Sequence, residues 1–130
     1  MNLDLEKKSF LVCGAASGFG RSIAEALLEE GANLIVCARR EDELKKIKEI
    51  APDRVQVVVA DLFQDEEQDR LLAQINLRHI SGVVINAGGP PAKSFLETEM
   101  EDWDNAYATL VKWKVRMTKK ILPALMVVVH

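Results

Sequence analysis

Apolar positions along the chain fall into two alternating patterns. Short continuous runs, Ser9 to Cys13, Asn33 to Cys37, Val55 to Ala60 and Gly82 to Ile85, lack the in-out alternation of a half-exposed strand and suit strands buried on both faces of a parallel sheet. Between these runs the apolar residues recur at helical spacing. Ile23, Ala24, Leu27 and Leu28 mark a helix from Gly18 to Glu30, with Gly31 as its stop. Leu44, Ile47 and Ile50 share a face of a second helix, Glu41 to Ile50, which Pro52 ends. Asp65-Glu66-Glu67 opens a third, its acids matching the positive end of the helix dipole, with Leu71, Leu72 and Ile75 inward. Strands and helices alternating this closely need parallel strands and right-handed crossovers, which predicts an α/β fold with a doubly wound sheet in the strand order 3-2-1-4.

The last third of the chain is less regular. After the turn Asn86-Ala87-Gly88-Gly89-Pro90-Pro91, the run Thr98-Glu99-Met100-Glu101 matches a capping box for a long fourth helix reaching about Leu122. Trp103, Ala106, Tyr107, Leu110, Val111, Trp113, Val115, Met117, Ile121 and Leu122 cover more than one stripe of it, so it is expected to bury two faces. Packing on its own sheet uses one. A four-stranded sheet also leaves its fourth strand with an open edge, and a homo-oligomer built through residues 100–123 is the expected remedy. With no internal repeat and no low-complexity linker, residues 1–130 read as a single domain.

Composition narrows the possibilities. The 130 residues are 48% hydrophobic and 28% charged, enough apolar material for one globular core. The net charge of −3, with lysines interspersed among acids, gives no basic surface for nucleic acid. Met1 to Lys8 mixes acids with bases and has no long apolar stretch, so neither a signal peptide nor an anchor is expected, and the protein is assigned to the cytoplasm. The ending, Ile121 to His130, has nine apolar residues in ten, too few to span a bilayer; a stub of a fifth strand, a helix extension and a sticky tail all remain open for it. Cys13 and Cys37 end the first two strands and read as buried, reduced thiols. His79, in a loop, and His130 lack any second ligand at metal spacing, so no metal site is expected.

The chemistry concentrates where the first strand gives way to the first helix, at Leu11-Val12-Cys13-Gly14-Ala15-Ala16-Ser17-Gly18-Phe19-Gly20-Arg21. Glycines at these positions let the backbone turn sharply, approach a pyrophosphate and seat the helix against the sheet, with its free N–H groups aimed at the anion. The architecture is therefore Rossmann-type, and Gly14, Ser17, Gly18, Phe19 and Gly20 form the candidate phosphate cradle. At the end of the second strand, where an acid binds the adenosine ribose 2′-hydroxyl, the chain reads Cys37-Ala38-Arg39-Arg40. Arg39 and Arg40 in place of an acid favour a 2′-phosphate, hence NADP over NAD. The plainer alternative pairs them with Glu41 and Asp42 at a solvated helix start.

These features together resemble the short-chain dehydrogenase/reductase family, whose glycine pattern is Thr-Gly-x-x-x-Gly-Ile-Gly. This chain keeps the three glycines, with Cys13 for the threonine and Phe19 for the isoleucine, both expected to face the interior. The resemblance implies that Asp61-Leu62 contacts adenine, the carboxylate taking the exocyclic amino group and the next backbone amide reaching the ring. It implies that Asn86-Ala87-Gly88 ends the fourth strand, the asparagine tying strands together and the glycine passing close to the cofactor ribose. In the family a tyrosine, a lysine four residues on and a serine carry proton transfer, and all three normally fall beyond residue 130. Tyr107 is followed four places later by Val111, and the family's assisting asparagine aligns with Leu110, so no catalytic residue is assigned. The ending is accordingly expected to reflect a truncation or a changed reading frame.

Two functions fit. The first is an NADP(H)-binding oxidoreductase represented by its cofactor half, transferring hydride between nicotinamide C4 and a small carbonyl or alcohol, and weak or inactive alone. The second is a non-catalytic nucleotide-binding or self-associating module. A nucleoside-triphosphate loop is disfavoured, because Gly-Lys-Ser/Thr is missing from the cradle.

Overall fold

The computed structural model describes residues 4–88 and 91–126. The four apolar runs become β1 (Ser9–Cys13), β2 (Asn33–Ala38), β3 (Val55–Val59) and β4 (Gly82–Val84), all parallel, in the order β3-β2-β1-β4. β1 pairs with β2 from Ser9↔Asn33 to Cys13↔Cys37, β2 with β3 from Leu34↔Val55 to Ala38↔Val59, and β1 with β4 from Phe10↔Gly82 to Val12↔Val84. Successive side chains of a strand point to opposite faces, so each strand feeds two cores. Val12, Leu34, Val36 and Val55 meet Ala24, Leu28, Leu44 and Ile47 on one side of the sheet; Leu11, Cys13, Cys37 and Val58 meet Leu71, Trp113, Met117 and Ile121 on the other.

The first core is roofed by α1 (Gly18–Glu29) and α2 (Glu41–Ile50), and the second by α3 (Asp65–Ala73) and α5 (Trp113–Met126). The inward stripes are narrower than expected. α1 buries Gly20, Ala24 and Leu28, leaving Ile23 at the surface, and α2 buries Leu44 and Ile47 while Ala51, just past its end, fills the place expected for the exposed Ile50. Ile75 lies beyond the end of α3 yet still packs, half-buried, against the second core. A short 3₁₀ turn, Leu77–His79, replaces a plain loop there, with the His79 ring 3.4 Å from the Asn76 side-chain amide.

The expected long helix is two helices. α4 (Met100–Tyr107) passes through a π turn at Ala108–Lys112 into α5. At the junction the Trp113 N–H reaches back five residues to the Ala108 carbonyl, which frees the Thr109 carbonyl; the Trp113 indole N–H donates to it at 2.7 Å. The inserted residue rotates the helical register, which is why the apolar positions read as two stripes. Only Trp113, Met117 and Ile121 of these are fully buried, while Trp103, Tyr107, Leu110, Val111, Val115 and Leu122 face outward. The expectation of two buried faces therefore fails within one copy of the chain. The helix start also moves by one residue: Asp102 accepts from the Glu99 N–H at 2.9 Å, whereas the Thr98 hydroxyl is taken up by its own turn and donates to the Ser94 carbonyl at 2.7 Å. At the other end the helix continues past Leu122 through Pro123 to Met126; Val127 to His130, like Gly89 and Pro90 of the turn after β4 and Met1 to Leu3, lie outside the described residues. No helix among the described residues is long and apolar enough to cross a membrane.

Candidate nucleotide-binding cleft

All four strands point their carboxyl ends at one cleft of about 540 Å³, the edge of such a sheet at which ligands bind. Gly14, Ser17, Gly18, Phe19, Arg39, Arg40, Asp61, Leu62, Asn86, Ala87 and Gly88 all line it, although they come from four separate stretches of the sequence. Gly20 is the one expected cradle residue beneath the cleft rather than on its wall. A Cβ on Gly20 would overlap the Gly14 carbonyl, and one on Gly14, held at φ +64°, would overlap the carbonyl of Asn86. The Asn86 side-chain amide closes this knot by donating to the Gly14 carbonyl at 3.4 Å. Gly18 is different: its φ is +59°, and nothing stands within 4 Å of where a Cβ would be, so backbone there is open to a ligand.

Beside it, α1 begins with no acidic residue in its first turn, and the side chain of its N-cap, Ser17, makes no capping bond. The positive helix end and an uncommitted hydroxyl therefore both face the cleft. Arg21 is not available, being held by Glu25 at 3.0 Å and Glu43 at 3.2 Å. Phe19 corrects an expectation. Lying one position ahead of the Gly20–Ala24–Leu28 stripe, it points away from the core, is 83% exposed, and forms part of the cleft wall. Cys13, the other departure from the family's glycine pattern, is fully buried as expected.

On the far wall, the pairing of Arg39 and Arg40 with Glu41 and Asp42 is not realised. Glu41 is taken by Lys45 at 2.8 Å, and neither arginine has a carboxylate partner among the described residues. Arg39 instead lies over the ring of Phe63, its Cζ 5.6 Å from the centroid. Asp61 turns the chain by accepting from the Phe63 N–H at 3.1 Å through Oδ1, which leaves Oδ2 without a hydrogen bond among the described residues. Phe63 and Trp113 also line the cleft, and sequence reasoning missed both. Phe63 sits two places past Asp61 in a stretch with no periodic signal, and Trp113 read as one more apolar position of a long helix.

Cys37 forms part of the cleft floor. Burial pushes its thiol up to about 12, with the Arg70 guanidinium pulling the other way. Burial, and Cys37 beside it in the strand pair, push Cys13 further above the ordinary thiol range. Neither is a thiolate nucleophile at neutral pH. No group of metal-ligating side chains occurs among the described residues. A second hollow of about 680 Å³ lies at the amino ends of the strands, but its cations are spent on backbone: Lys48 donates to the Val55 carbonyl at 2.6 Å and Arg54 to that of Ala32 at 2.7 Å.

A doubly wound parallel sheet in this order, with a glycine turn joining its first strand to its first helix, is a Rossmann-type architecture. The chain belongs to the short chain dehydrogenase family, whose sequence profile matches residues 8–129. It is 31% identical over 125 residues to an uncharacterized oxidoreductase from Staphylococcus aureus (strain MRSA252), covering 94% of this chain and 54% of that protein. It is 30% identical to the uncharacterized oxidoreductase YvrD from Bacillus subtilis, covering 97% of this chain and 49% of the relative. The chain thus spans about half the length of the curated relatives it matches. Among solved structures, a short-chain dehydrogenase from Streptomyces avermitilis superposes with a TM-score of 0.82 at 34% identity, over 90% of this chain and 44% of that one. L-sorbose reductase from Gluconobacter frateurii, complexed with NADPH and L-sorbose, superposes with a TM-score of 0.84 at 27% identity, over 98% of this chain and 51% of that one.

Proposed function

We propose that this chain binds NADP(H) in the carboxyl-edge cleft and serves as the cofactor-holding part of an oxidoreductase acting on a small carbonyl or alcohol. The observation that carries the reading is the pair of guanidinium groups, Arg39 and Arg40, on the wall of a cleft whose opposite side is a glycine turn and a carboxylate-free helix start. A dinucleotide phosphate fits that turn. Gly18 leaves its backbone uncovered, Ser17 has a free hydroxyl, and the helix N–H groups point into the same space. The bound cofactor would supply hydride at nicotinamide C4. Gly14, Gly18 and the start of α1 would hold the pyrophosphate, Asp61 and Leu62 the adenine, Asn86 to Gly88 the nearer ribose, and Arg39 with Arg40 the 2′-phosphate.

The complex of L-sorbose reductase with NADPH supports the choice of the phosphorylated cofactor. The sequence has one tyrosine, Tyr107, without a lysine four residues on, so proton transfer is not assigned to this chain, and its turnover alone is expected to be weak or absent. That property keeps the second reading, a nucleotide-binding or self-associating module, in play; NADPH oxidation by the purified chain with a diketone or quinone would reject it. The outward-facing apolar residues between 100 and 123 support assembly into homo-oligomers through α4 and α5, and a cytoplasmic setting is part of the same proposal.

The decisive experiment is calorimetric titration with NADPH and NADH, beside Arg39→Ala. NADPH is expected to bind more tightly than NADH, and the substitution to erase that preference while sparing NADH. Equal affinity for both cofactors in the unmodified chain would overturn the assignment.

A further inference from the structure

We infer that Phe63 is a positioning residue for Arg39, and so sets how strongly the cleft selects a nucleotide carrying a 2′-phosphate. The inference rests on the NADP(H) reading above and adds to it a residue outside the glycine turn and the strand ends. Arg39 is exposed and has no carboxylate partner among the described residues; its guanidinium lies over the Phe63 ring, 5.6 Å from Cζ to centroid. A guanidinium is planar, with its donors in the plane. A ring offers no oxygen acceptor, so the platform holds Arg39 near it without spending a donor that a phosphate needs. A carboxylate partner would do the reverse, occupying the edge that a phosphate needs.

The platform is itself fixed at both ends. The Phe63 N–H donates to Asp61 Oδ1 at 3.1 Å, and its ring forms a T-shaped pair with Trp113, centroids 6.1 Å apart and planes inclined at 74°. Trp113 is buried, with its indole N–H held by the Thr109 carbonyl at 2.7 Å. α5, which packs on the same side of the sheet as Phe63, thus braces the ring that carries the arginine. Arg40, at the start of α2, has no ring beneath it and no ion pair among the described residues, so the inference gives Arg39 the larger share of selectivity.

The test uses two probes that differ only in the 2′-phosphate, 2′,5′-ADP and 5′-AMP, titrated into the whole chain. The unmodified chain is expected to prefer 2′,5′-ADP. Phe63→Leu, with Phe63→Met as a second ringless variant, is expected to cut that preference about two- to fivefold, the worth of an exposed cation–π contact, read as the ratio of the two affinities so that any loss common to both probes cancels. Phe63→Tyr, which keeps the ring, is expected to keep the preference. Combined with Arg39→Ala, Phe63→Leu is expected to change the preference no further than Arg39→Ala alone. If the ringless variants weaken both probes equally, or act undiminished without Arg39, Phe63 is only wall and the inference falls while the cofactor reading stands. If the unmodified chain fails to distinguish the probes, the cofactor reading falls and takes the inference with it.

Discussion

Two glycines of the same turn are required for different physical reasons, and substitution separates them. Gly20 is a matter of space, since any side chain there runs into the Gly14 carbonyl, so Gly20→Ala and Gly20→Asn are both expected to cost about 1–3 kcal/mol or more, as overpacking does. Gly18 is a matter of backbone angle in open space, so Gly18→Ala is expected to cost about 1–2 kcal/mol and Gly18→Asn much less, because asparagine tolerates the left-handed region. Urea midpoints of the four variants check the contrast. The two buried thiols set a second expectation. An unfolded chain releases thiol protons from about pH 9, the ordinary value, whereas folded Cys37 holds its proton to about 12. Stability is therefore intact below about pH 9 and lost as pH rises toward 12, at about 1.4 kcal/mol per pH unit for each thiol. Denaturation at about pH 8 and pH 10 should show a shallower decline in Cys37→Ala than in the unmodified chain.

The elements that sequence pattern locates best are those whose buried side chains follow one simple period. β1 and α2 fall where the apolar runs place them, because a strand buried on both faces and a helix ended by proline leave few alternatives. The glycine turn was legible for a related reason, since Gly14 and Gly18 mark positive φ and Gly20 a close approach, requirements that leave a mark on residue type. Phe63 and Trp113 left no such mark, because their place in the cleft depends on how the chain after β3 meets the helix after β4. The π turn was hidden too: one inserted residue looks like a broader apolar face, and only the hydrogen bonds reveal it. Those bonds can be tested. Trp113→Phe keeps most of the apolar volume but leaves the Thr109 carbonyl without its donor, so it is expected to lower stability by about 1–3 kcal/mol, read from thermal or urea unfolding.

At the scale of the molecule, one face of the fold is unfinished. Trp103, Tyr107, Leu110, Val111, Val115 and Leu122 stand at the surface along α4, the π turn and α5, and among the described residues β4 pairs with β1 alone. Sedimentation at tens of micromolar, a range in which micromolar affinities are populated, is expected to show dimers or larger species. Val115→Glu together with Leu122→Glu is expected to shift them to monomer without disturbing the sheet. A different consequence follows from the knot between Gly14, Gly20 and Asn86, whose linking hydrogen bond spans 72 positions of sequence. The glycine turn lies near the amino end, yet the group that closes it arrives only with the end of the fourth strand. During synthesis this bond can form only once the chain has reached Asn86, so the turn closes after the crossover into β4, and on the proposed reading nucleotide capture would report that this crossover is complete.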